Sequence, residues 1–111
     1  MTINEYLSGE FITIVERSYP RTAKLLQHCH VRVINTNWGR PPKRLQYVGV
    51  YCPDRLIDSV QAEIDLLREV AKYMGLAEVV CLNATRLIRD PMSSIKHTDS
   101  RFWLELCWVA R

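Results

Sequence analysis

The most regular pattern in the chain lies in residues 54–74, where Leu56, Ile57, Val60, Ile64, Leu67, Ala71 and Met74 recur at steps of three and four. That spacing puts them on one stripe of an amphipathic helix, with Asp58, Glu63, Asp65, Arg68, Glu69 and Lys72 on the outer side. Pro53 and Asp54 suit the first turn of such a helix, and Gly75 suits its exit. Four runs rich in β-branched or aromatic residues read as strands: 31–36, 45–52, 78–88 and 102–110. Between the first two, Asn37, Gly39, Pro41 and Pro42 break the extended pattern and predict a hairpin.

The N-terminal third fits two periods. Phe11, Ile12, Thr13, Ile14 and Val15 form a β-branched run that favours a strand, while Leu7, Phe11, Ile14 and Val15 also fit a helical stripe. Pro20 opens a short helix through Leu25, Leu26 and Cys29, because proline is tolerated in a first turn and would break a helix arriving from Thr2. With residues 11–15 extended, the expected order is β-α-β-β-α-β plus an extra C-terminal β. This is a ferredoxin-like two-layer α+β sandwich, an antiparallel sheet with helices on one face. With residues 11–15 helical, a helical start meets a four-stranded sheet.

A length of 111 residues with 48% hydrophobic and 24% charged residues is expected to form a single α+β domain over 1–111. No apolar run approaches the roughly 18 residues that a membrane span needs. The start Met1-Thr2-Ile3-Asn4-Glu5 is not that of an export signal. Cys29, Cys52, Cys81 and Cys107 are widely spaced and suit reduced, mostly buried thiols and a cytoplasmic setting. Charge is uneven: residues 31–55 carry five basic groups against Asp54, whereas residues 56–81 carry Arg68 and Lys72 against five acids. A basic hairpin end and an acidic helix follow.

Several groups of residues could carry chemistry. Tyr47 and Tyr51 share one side of their strand, and Trp38, Trp103 and Trp108 add to the aromatic stock of the sheet. With Arg40, Lys43 and Arg44 at the hairpin, they form a candidate surface for a protein partner, a small ligand or single-stranded nucleic acid. Lys43, Tyr47 and Val48 match the third-strand pattern of RNA-recognition domains, but Arg44, Leu45 and Val50 depart from it. His28-Cys29-His30 holds ligand types for a metal, yet three adjacent residues cannot all face one ion, and no metal or other cofactor is expected. His97 lies with Asp99 and three serines in the polar connection 89–101, which has the residue types of a nucleophilic triad but no spacing that defines one. Gly9, Gly39, Gly49 and Gly75 lie too far apart for a phosphate-cradling loop.

In layout alone, the order of residues 11–15, the Pro20 helix, the hairpin and the 54–74 helix resembles the small ligand-sensing ACT domains. Those domains usually place an acidic residue, proline and glycine at the first strand-helix turn, where this chain has Arg17-Ser18-Tyr19-Pro20-Arg21. No amino-acid-binding role is inferred. Because residues 102–110 are apolar on alternating and intervening positions alike, the expected function is that of a non-catalytic binding or regulatory module. It would self-associate as a homodimer through its sheet and dock a partner or ligand. The alternatives are nucleic-acid binding and an enzyme with a site beneath the 89–101 loop.

Overall fold

In the computed structural model, which describes residues 2–110 with the Trp38 side chain excepted, the chain is α+β. The first helix, α1, runs Ile3–Ser18. Thr2 caps it, its Oγ1 accepting the Glu5 amide at 3.1 Å, and Glu5 sits favourably in the first turn. Residues 11–15 therefore belong to a helix and not to a strand: Phe11 and Val15, one turn apart, are its fully buried pair. Local β-propensity yields to a capped amphipathic stripe with something to pack on. Tyr19 ends α1, and Pro20 opens α2 (Pro20–Leu26).

The hairpin forms as expected, with longer arms. Strand β1 (His30–Trp38) pairs antiparallel with β2 (Lys43–Cys52), from His30 opposite Tyr51 to Trp38 opposite Lys43. Gly39 takes the positive φ of 92° that lets the chain turn. The 54–74 region is helical but broken: a 3₁₀ turn (Asp54–Leu56), α3 (Ile57–Ala62) and α4 (Ile64–Tyr73). At Glu63 the amide reaches back only three residues, to Val60, which separates the last two.

After this crossover, β3 (Val79–Asn83) joins β2 in parallel, as a strand–helix–strand connection requires. The sheet is thus mixed, three-stranded and ordered β1-β2-β3. The 78–88 run is a strand only as far as Asn83, whose Oδ1 accepts the Arg86 amide at 3.0 Å and starts α5 (Ala84–Arg89). A short α6 (Ile95–Thr98) leads to α7 (Ser100–Val109).

Residues 102–110 are helical as well, which removes the extra C-terminal strand. Asp99 caps α7, its Oδ1 accepting the Phe102 amide at 3.1 Å, and Phe102 and Leu106 face inward one turn apart. The order ααββααβααα is not ferredoxin-like, nor does it keep the ACT-like layout, which needs an N-terminal strand. Helices lie on both sides of the sheet. Alternation along β1 and β2 sends Val31, Val33, Val48 and Val50 into a core with α1, α2 and α4. The opposite positions, Ile34, Tyr51 and Leu82, pack with Ala84, Phe102 and Leu106. The two-faced greasy strand that favoured sheet-to-sheet pairing of two copies does not exist. No helix among the described residues is long and apolar enough to cross a membrane.

Candidate functional site

A depression of about 1040 Å³ follows β1 from His30 to Asn35 between the start of α1 and the start of α7. Strand β1 is an edge strand, so alternate main-chain groups face away from β2. The Val33 amide is one of them, because it donates to Ser8 Oγ of α1 at 2.9 Å. By the same alternation Val31 and Asn35 turn their amides and carbonyls outward, and among the described residues these amides have no protein partner.

The side chains of His30, Arg32 and Ile34 lie on the sheet face shared with Tyr47 and Tyr51, beside α7. Gly49, between the tyrosines, makes this arrangement fit: a β-carbon there would meet Ile34 Cδ1 at 3.0 Å and the Tyr51 ring at 3.1 Å. Helix α7 covers only one end of the face. Its Phe102 ring meets Tyr51 edge-on at 4.9 Å between centroids, and the Arg32 guanidinium stands 4.5 Å over the same ring.

Charged groups from both ends of the chain line the rim. His30 Nε2 lies 3.1 Å from Glu105 Oε2, Arg32 Nη2 lies 3.4 Å from Asp99 Oδ2, and Arg101 Nε lies 3.7 Å from Glu105 Oε1. Burial lowers the His30 pKa below the ordinary histidine value; Glu105 opposes the shift and Arg32 adds to it. The contact with Glu105 is therefore a neutral imidazole against a carboxylate near pH 7. Burial likewise raises the Tyr51 pKa, with Tyr47 adding to the rise, so the phenol stays protonated. On the α1 side Asn4, Glu5 and Ser8 complete the rim.

Of the residues singled out from sequence, Tyr47 and Tyr51 line this groove. Arg40, Lys43 and Arg44 are exposed at the far end of the hairpin, and Trp38 lies in β1 with its side chain outside the described residues. Trp103 is half-buried on α7, Trp108 is 72% exposed there, and His97 is exposed on α6. His97 and Asp99 are not brought together as a triad, since Asp99 is engaged by Arg32 and the Phe102 amide. His28, Cys29 and His30 diverge, His30 to Glu105 and Cys29 to the opposite face of the sheet. Among the described residues no group of three His, Cys, Asp or Glu is arranged to hold a metal ion.

Sequence reasoning missed Arg32 and Glu105 as site residues, and weighed His30 and Asp99 only for different sites, a metal and a triad. The alternation His30-Arg32-Ile34 beside Val31-Val33 marked a polar face, and Asp99 before Phe102 and Leu106 marked a helix start. No protein-family model, curated protein or solved structure matches the chain.

Proposed function

We propose that this protein is a binding module whose groove receives an extended segment of a partner protein beside β1, at the outward amides that flank the Val33 amide held by Ser8. The observation that carries this reading is the coincidence of outward, unpartnered amides at Val31 and Asn35 with the 1040 Å³ depression along β1. A strand laid there gains main-chain hydrogen bonds, and side-chain selectivity comes from its neighbours. Ile34, Tyr47 and Phe102 offer an apolar floor with aromatic edges. The rim holds Glu5, Asp99 and Glu105 against Arg32 and Arg101, with His30 neutral, so acids exceed bases by one. That balance favours a segment that alternates apolar and basic side chains.

Selection of random peptides displayed on phage, followed by titration of a chosen peptide, tests the reading. Asn35→Pro removes one outward amide without touching the β1–β2 ladder, since the Asn35 amide takes no part in it. It is expected to weaken the peptide roughly tenfold, about 1.4 kcal/mol, as is methylation of peptide amides on alternate residues. Peptides selected equally well by Asn35→Pro and by Arg32→Ala would remove the groove from consideration.

A second reading has its own support: Arg40, Lys43 and Arg44 are exposed beyond the acidic rim, on the hairpin that carries Tyr47 into the groove. Single-stranded nucleic acid could follow such a basic hairpin and stack on that ring. Affinity for an oligonucleotide would then fall steeply with salt and vanish in a triple alanine variant of those cations.

A further inference from the structure

Three of the four cysteines, distant in sequence, meet on the sheet face opposite the groove. Cys52, at the end of β2, is fully buried, and half-buried Cys29 and Cys81 pack against the same core. The Cys29 thiol donates to the Leu25 carbonyl at 3.4 Å and the Cys52 thiol to the Val50 carbonyl at 3.6 Å, and both side chains belong to one packed cluster with Cys81. Strand register fixes their relations. Since His30 faces Tyr51, continuing the pairing by one residue sets Cys29 opposite Cys52. The outward amide of Val33 makes odd-numbered positions of β1 the non-hydrogen-bonded ones, where paired Cα atoms approach to about 4.5 Å. Disulfides need about 4.4–6.8 Å between Cα atoms. Cys81 faces Val50 instead, one step along the sheet from Cys52, and is less directly placed.

We propose that Cys29 and Cys52 form a peroxide-responsive dithiol that closes to a disulfide joining the residue before β1 to the end of β2. Cys29 is the half-exposed member and meets the oxidant; Cys52 is sealed from solvent and serves as the second thiol. The neighbouring Cys52 side chain lowers the Cys29 pKa against the opposing effect of burial, which favours the reactive thiolate. That thiolate attacks the O–O bond of a hydroperoxide, becomes a sulfenic acid, and releases water or an alcohol. Cys52 sulfur then attacks the sulfenic sulfur; the S–S bond forms, the S–O bond breaks, and the Cys52 proton leaves with the oxygen as water. The two thiols lose two electrons and two protons, all accepted by the hydroperoxide.

Intact-mass spectrometry of the whole chain under graded hydrogen peroxide, followed by digestion without reductant, tests this. Cys107, on α7 and away from the cluster, is the internal reference. The expected result is loss of two hydrogen atoms, reversal by dithiothreitol, and a peptide linking Cys29 to Cys52 at doses roughly tenfold below those that oxidise Cys107. Cys29→Ser, at a half-exposed site, is expected to abolish the link, and Cys81→Ser to retain it, with both folds verified by circular dichroism. Separate sulfinic or sulfonic acids on Cys29 and Cys52, or a link that forms only in urea, would overturn the proposal. So would a link between Cys52 and Cys81 in the unaltered chain.

Discussion

The two faces of one three-stranded sheet have opposite fates, and the alternate residues of β1 and β2 decide which is which. Toward α1–α4 the strands present Val31, Val33, Val48 and Val50, and the face is closed by Phe11, Val15 and Leu67, each 0% exposed. Toward α7 they present His30, Arg32, Tyr47 and Tyr51, and the Arg32 side chain keeps 41% of its surface. Four helical segments seal the first face, whereas α5 and α7 cover one end of the second. A buried charge is costly unless paired, so a face carrying histidine and arginine cannot be sealed as cheaply as one carrying valines. The groove is what remains when the covering helix stops at the polar end.

That contrast can be broken most severely from the dry side. Phe11→Ala is expected to cost about 3–5 kcal/mol, read as a drop in the urea midpoint, because its site is closed on all sides. Arg32→Met, on the wet side, should fall within about 1 kcal/mol of the parent. Oxidation of Cys29 to Cys52 works in the opposite direction on the dry face. It is expected to raise unfolding free energy by about 3 kcal/mol for a loop of this length, measured as a midpoint shift reversed by reductant.

Smaller effects sharpen the picture of the wet face. Asp99→Ala should cost about 1 kcal/mol by uncapping α7, while Asp99→Asn keeps the cap and loses only the ionic contact with Arg32. Comparing the two in urea separates these roles. The smallest effect is a pH response. His30 has a lowered pKa in the fold, so its share of stability is complete above the ordinary value of 6.5 and is lost as pH falls through the lowered one. Midpoints are expected to decline as pH falls below the ordinary histidine value of 6.5, and His30→Gln should flatten that decline. Glu78, whose pKa the Val79 amide and Arg68 hold down, surrenders its share only at lower pH, below its ordinary 4.5.

The hairpin was legible because two runs rich in β-branched and aromatic residues flank the breakers Asn37, Gly39, Pro41 and Pro42, and the 54–74 helix because its apolar stripe is clean. The two ends were not. In 11–15 and 102–110 apolar residues fill nearly every position, so strand and helix templates fit equally well. Position-specific signals at the starts, Thr2 with Glu5 and Asp99 with Phe102, carried the answer. Misreading α7 as a strand also hid the site. Arg32 and Asp99 are sixty-seven positions apart and become neighbours only when that helix folds back across the sheet. Tyr47 and Tyr51 were found because one strand positions both.

Asp99 carries two duties on one carboxylate: an oxygen for the first turn of α7 and an oxygen for the guanidinium beside it. The start of the helix and the hold on the arginine thus meet at one residue, through different oxygens. A visitor that draws Arg32 toward itself leaves the Asp99 carboxylate with the helix start alone, so the wall of the recess can stand while its charge pattern changes.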